Sequence, residues 1–240
     1  MGDADDVLAD LKSATRRLLD GMAGLTDEAA RQPSLLPGWS RGHVLTHLAR
    51  NAEGSTRLLT WARTGVPSYE YESAEARAAE IEAGAGRPAE VLVEDVRRTA
   101  AALEDAATGV PSQAWPRVVR YTGGQERPAD VILPSRLAEV LIHHVDLDHG
   151  FTPEDWQRPF VTGMLALLAS SLGQRDGMAA MRLARRGGGG GIHAIGGPGP
   201  ADMTVTGFGP ELLAWLLGRS DGRDLGREPD GPLPAIPAIY

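Results

Sequence analysis

Two short stretches of this chain hold most of the side chains able to bind a metal or move a proton. One is "HVLTH", His43–His47. The other is "RLAEVLIHHVDLDHG", Arg136–Gly150, which packs three histidines and three acids into fifteen residues. Residues four apart share one face of a helix. Glu139 and His143 have that spacing, whereas Glu139 and His144, five apart, fit a shared face less well. His43 and His47 are also four apart, yet Val44 stands where a HExxH zinc motif carries its glutamate. An acid and an imidazole on one helix, joined by one histidine from the other, would leave an open position on the ion, the pattern of catalytic zinc. Asp146, three past His143, would then orient an imidazole from outside. The competing reading pairs Glu139 with Arg136 on a wet surface and leaves His43 at a helix start, facing solvent. Spacing alone leaves these readings level.

The bulk properties narrow the chemistry. The chain has 240 residues, suited to one large domain or two smaller ones, and 42% hydrophobic residues, enough for a sizeable core. Its net charge is −8, with no basic tract and Lys12 as the single lysine. Nucleic acid and anionic membrane surfaces are therefore not expected partners, since both need clustered cations. There is no cysteine, which excludes disulfides, thiolate zinc ligands and a cysteine nucleophile. Any thiol chemistry must use a thiol from outside the protein. The acidic start, Met1 to Asp10, lacks the features of a signal peptide, and no apolar run approaches a membrane span. The expectation is a soluble, cytoplasmic protein.

The candidate residues need elements to position them. Helical periodicity runs from about Asp5 to Gly24, with Val7, Leu8, Leu11, Ala14, Leu18 and Leu19 on one side. Thr26 caps a short second helix, Pro37-Gly38 makes a turn, and Ser40 caps a helix from Arg41 to about Thr64, ended by Gly65. Ser73 opens another, closed by Gly84 and Gly86; the next has Val91, Val96, Ala100 and Leu103 on its buried side and stops at Gly109 and Pro111. A short hairpin around Gly123-Gly124 leads to a helix with Pro134 near its start and Gly150 at its end. After a boundary near Phe151–Gln157 the texture changes. Residues 160–184 read as one helical stretch, followed by a flexible loop at the five glycines 187–191. Strands Ile192–Ile195 and Met203–Thr206, a helix Pro210–Leu217 and an extended tail complete the chain.

Four segments, in this order, carry a resemblance. "LLPGWSRGHVLTHLARNAEG" and "SRLAEVLIHHVDLDHG" resemble the two metal-site signatures of the mycothiol-dependent maleylpyruvate isomerases, and both are shared with the wider DinB-like superfamily. "YESAEARAAEIEAG" and "ELLAWLLGRSDG" resemble segments more particular to the isomerases. The resemblance spans nearly the whole chain. It implies an α + α/β fold class: a DinB-like four-helix bundle over residues 1–153 and a smaller C-terminal α/β domain over 154–240. It carries the metal ligands onto His47, Glu139 and His143, the metal being zinc, and an arginine important for activity onto Arg219. His43, His144 and His149 do not fall on ligand positions. The implied reaction is cis–trans isomerisation of maleylpyruvate to fumarylpyruvate. The thiol of mycothiol, acidified by zinc, would add to the double bond, allow rotation and leave, while Arg219 holds a substrate carboxylate. Two alternatives stand beside it: a mycothiol S-transferase of the same fold acting on another electrophile, and a metal-binding protein without turnover. Two histidines and a glutamate also suit other divalent ions.

Overall fold

The computed structural model describes residues 4–175, 178–187, 193–196 and 201–237, which form two compact units, Met1–Phe151 and Thr152–Tyr240. The fold is mostly helical with a small sheet region, in the α + α/β class.

The N-terminal unit is a helical bundle built from α1 (Ala4–Gly21), α2 (Asp27–Arg31), α3 (Arg41–Thr64), α4 (Ala74–Ala85), α5 (Ala89–Thr108) and α6 (Ile132–Asp146), with a hairpin of β1 (Val118–Arg120) and β2 (Glu126–Pro128) before α6. The long helices bury apolar stripes: Leu8, Leu11 and Leu18 of α1, Leu45, Leu48 and Leu59 of α3, Leu92, Val96 and Leu103 of α5, and Ile132, Leu133 and Ile142 of α6. α3 runs through the middle, packed on α4, α5 and α6. Helix starts follow the local chemistry. The hydroxyls of Thr26, Ser40 and Ser73 accept the backbone N–H of Ala29, His43 and Ala76, each cap contributing about 1 kcal/mol.

Two features fix the helices that carry the candidate residues. The backbone N–H of Leu35 donates to the Asp146 carbonyl at 2.9 Å, and the Arg41 guanidinium donates to the Leu147 and Asp148 carbonyls at 2.6 and 2.8 Å. The start of α3 is thus tied to the end of α6, and carbonyls without helical partners are satisfied. Gly42 and Gly84 let α3 and α4 touch closely. A Cβ on Gly42 would run into the Ala85 carbonyl oxygen, and one on Gly84 would meet the Thr46 side chain at 2.5 Å.

The C-terminal unit holds α7 (Arg158–Gly173), α8 (Gly209–Leu216) and a four-stranded sheet of order β4-β3-β5-β6. Its strands are β3 (Met181–Arg185), β4 (His193–Ile195), β5 (Met203–Gly207) and β6 (Gly226–Glu228). β3 and β5 pair in parallel and the other pairs are antiparallel.

Several expectations from the sequence need correction. Residues 160–184 are not one helix: α7 ends at Gly173, and Met181–Arg185 is a strand at the centre of the sheet. Met181 and Leu183 are buried and Arg182 between them is exposed, the two-residue period of a strand. Val91 lies outside, 45% exposed, and Leu92 takes its place in the core. Gly84 lies in the last turn of α4 and Gly86 caps it, as expected, whereas α6 stops at Asp146, four residues before Gly150. β6 was not expected. Ile192 and glycines 188–191 lie outside the described residues.

Candidate metal centre

His47 stands in the second turn of α3, and Glu139 and His143 stand one turn apart on α6. The bundle brings them together across ninety-two residues of chain. His47 Nε2 lies 2.8 Å from Glu139 Oε2 and 3.0 Å from His143 Nε2, and His143 Nε2 lies 3.2 Å from the same Glu139 oxygen. One potential ligand atom from each residue falls within 4.8 Å of the others. His47 and His143 are 2% and 5% exposed, and the Glu139 side chain keeps 17% of its surface, so the group opens on the carboxylate side.

Electrostatics follow from this burial. Burial pushes the His47 imidazole down to about 4, against the raising pull of Glu139, so it is neutral at pH 7. Burial opposes ionisation of Glu139, but hydrogen bonds from His143 and His47 outweigh it and hold the carboxyl well below its ordinary range. Burial lowers His143 too, and its hydrogen bonds to Asp146 and Glu139 overcome it and raise the pKa. The site therefore offers one carboxylate and two imidazoles, borderline donors suited to zinc and its neighbours among divalent ions.

The outer nitrogens of the two rings meet different partners. His143 Nδ1 lies 2.8 Å from Asp146 Oδ2, and Asp146 is fully buried. With the proton on Nδ1, the Nε2 lone pair faces the other two groups, the orientation that a ligating histidine needs. Asp146 thus occupies the place that its spacing suggested. His47 Nδ1 instead lies 3.0 Å from Arg77 Nη2. A guanidinium only donates, so this contact uses the Nδ1 lone pair and leaves the proton on Nε2, towards Glu139. Trp39 packs on the same ring, with centroids 5.7 Å apart.

The other histidines have separate structural surroundings. The start of α3 is closed by Ser40 and His43 reciprocally: His43 Nδ1 accepts the Ser40 N–H at 3.1 Å, and its Nε2 lies 3.1 Å from Glu82 Oε2. His144 is buried and stacked on Phe151 at 3.9 Å between centroids. His149 is exposed. The surface pairing of Glu139 with Arg136 is absent, because Arg136 is 2% exposed and its Nη1 donates to Asn51 Oδ1 at 2.8 Å. Arg219 lies in the other unit, just past α8. Its N–H donates to the Ala214 carbonyl at 2.8 Å and that of Gly218, φ 75°, to the Trp215 carbonyl at 3.0 Å. This is a Schellman end, with the glycine in the left-handed conformation that the motif requires.

Sequence reasoning missed Arg77 and Asn51 around the triad and considered Arg136 only as a surface residue. A signal for two of them exists: Asn51 is four past His47 and Arg136 three before Glu139, which extends both ligand-bearing faces by one turn.

The described residues include no helix long and apolar enough to cross a membrane. No curated protein sequence matches the chain. Two solved structures share its fold at a TM-score of 0.91 and 24% identity, each alignment covering 99% of this chain and 98% of the other. One is a mycothiol-dependent maleylpyruvate isomerase and the other is a histidine-to-alanine mutant of a protein so described. Residues 11–148, more than half of the chain and the span from the middle of α1 to just past the end of the triad helix, match the family described as the mycothiol maleylpyruvate isomerase N-terminal domain, and the chain belongs to that family.

Proposed function

We propose that this protein is a metal- and mycothiol-dependent cis–trans isomerase that converts maleylpyruvate to fumarylpyruvate, a step in gentisate breakdown, in the cytoplasm. The observation that carries the reading is the convergence of His47, Glu139 and His143 in a chain of this family. These three residues would hold a divalent ion, zinc in our reading. Such an ion acidifies a bound thiol, and mycothiol supplies the reversible nucleophile that makes a double bond rotatable.

The chain's own residues support this chemistry in separate ways. With no cysteine anywhere, it has no internal thiol to compete for the ion or for the electrophile. Burial of both imidazoles keeps bulk water from the ligand atoms and strengthens their interaction with a cation. Asp146 holds a proton on Nδ1 of His143, which leaves Nε2 as the atom by which that ring would ligate an ion. Arg219 is proposed to bind a substrate carboxylate through its planar fork. Its alternative role, a cation closing the end of α8, contributes about 0.3–1 kcal/mol.

The deciding assay supplies maleylpyruvate with mycothiol to the metal-bound protein and follows fumarylpyruvate by absorbance. Isomerisation that needs both thiol and metal is the expected result. Accumulation of a stable thiol conjugate would replace the isomerase reading with an S-transferase. Metal binding without any thiol-dependent turnover would remove the enzymatic reading. For Arg219, replacement by lysine is expected to lower kcat/KM more than about tenfold at unchanged metal content and melting temperature. Turnover close to the parent's would return it to helix capping.

A further inference from the structure

One helical turn along the bundle from the triad, α3 and α6 meet again through Asn51 and Arg136. Arg136 is 2% exposed, yet no carboxylate lies within ion-pair distance of it among the described residues. Among the described residues Asn51 Oδ1 is its one hydrogen-bond acceptor, and its buried Nε has none. A guanidinium carries five donors and stays charged. Taking it out of water without an anion is costly, and burial pushes its pKa down to about 10.

The same bundle treats another buried charge differently. Asp95, 7% exposed, receives Arg50 and Arg87 at 2.8 Å and Arg98 at 2.7 Å. The acid that acts on Arg136, Glu139, and the acid that acts on Tyr71 beside it, Glu70, are otherwise engaged. Glu139 belongs to the triad, and Glu70 accepts the Thr122 hydroxyl at 3.3 Å. Arg136 interacts electrostatically with Glu139 and with the Tyr71 phenol. The Tyr71 hydroxyl is itself buried without a hydrogen bond of good geometry. A fixed, buried cation therefore stands next to Glu139 of the triad and the Tyr71 phenol, and among the described residues no carboxylate pairs with it.

We propose that Arg136, beside the Tyr71 hydroxyl, is a carboxylate-binding subsite for the substrate, and this rests on the dicarboxylate substrate proposed above. The fork of Arg136 matches a carboxylate with two parallel N–H···O bonds, while Asn51 keeps the guanidinium plane in place. A substrate carboxylate bound there lies about one helix pitch, ~5 Å, from the triad along the bundle.

The test uses the metal-bound protein and maleate, a four-carbon dicarboxylate, with binding measured by calorimetry. The parent is expected to bind maleate, and Arg136→Met to bind it at least about tenfold more weakly at equal metal content. Absence of maleate binding in the parent, or equal affinity in the variant, overturns the subsite. If Arg136→Met does not fold, Arg136→Lys decides by the same measurement: it keeps the charge and loses the fork, so weaker binding supports the subsite and unchanged binding overturns it. Kinetics separate this proposal from the one it rests on. Isomerisation of maleylpyruvate by Arg136→Lys with an unchanged KM keeps the isomerase and overturns the subsite. Maleate binding that depends on Arg136 in a protein that does not isomerise maleylpyruvate keeps the anion subsite and removes the isomerase.

Discussion

The two histidines of the triad are supported in opposite ways. On the α6 side, His143 turns its outer nitrogen to a buried carboxylate, Asp146, 2.8 Å away. On the α3 side, His47 turns its outer nitrogen to a guanidinium, Arg77, 3.0 Å away. An acceptor at Nδ1 favours the tautomer that ligates through Nε2, and a donor at Nδ1 favours the other. In the reading proposed above, α6 would carry two ligands already oriented for a cation, while His47 would have to shed its contact with Arg77, a residue of α4, to join them.

The largest test of the comparison removes the proposed ligands themselves. His47→Ala and His143→Ala are each expected to lose metal through purification, and Glu139→Gln to keep its fold with strongly weakened metal binding. His144→Ala and His149→Ala should retain the parent's metal. Elemental analysis of the purified variants settles this, and full metal content in His47→Ala would reduce the site to α6 alone.

A smaller effect is expected one layer out. Asp146→Asn should weaken metal affinity roughly 10–100-fold, because the amide no longer orients His143 as the carboxylate does. A competitive chelator titration measures it, and an unchanged affinity would mean that burial alone orients the ring. Arg77→Met should have the opposite sign, binding the metal at least as tightly as the parent, since the donor against Nδ1 is gone. Weaker binding in Arg77→Met would break the contrast between the two sides.

The smallest effect lies in the acid sensitivity of the metal-free protein. The His47 pKa is about 4 in the folded chain against 6.5 ordinarily, so between those values the unfolded chain holds a proton that the folded chain refuses. Stability from this group falls as pH drops through that window. His143 has a raised folded pKa, so its contribution is full below 6.5 and is lost as pH rises through the folded value. His47→Gln should therefore flatten the loss of melting temperature between pH 6.5 and about 4, and His143→Gln should flatten the loss that sets in as pH rises above 6.5. Parallel curves for parent and variants would show that other groups dominate.

Much of the bundle is legible in the sequence because its signals are local. Thr26, Ser40 and Ser73 cap the helices that follow them, and Gly65 ends α3, since each of these effects involves residues within one turn. The C-terminal unit is less legible. "MRLAR" continues an apolar run that reads as helix, and only its pairing with β4 on one side and β5 on the other makes it a strand. Val91 and Leu92 are equally apolar neighbours; the packing of α5, not composition, decides which of them is buried.

The candidate site divides along the same line. By itself the sequence determined the spacing that puts Glu139 and His143 on one face, the position of Asp146 beside them, the lack of any internal thiol and the order of motifs that marks the family. Those are properties of neighbours in the chain and of composition. Spacing could not choose between His43 and His47, or between a metal site and a surface ion pair of Glu139 with Arg136. The tertiary structure brings His47, not His43, to Glu139 and removes the surface ion pair, because both depend on which helix faces meet across ninety-two residues of chain. It put His47 against the α6 pair and made His43 a cap. It buried Arg136 beside Asn51 and set Arg77 on the ring of His47, contacts whose energies come from desolvation and from charges held close in space.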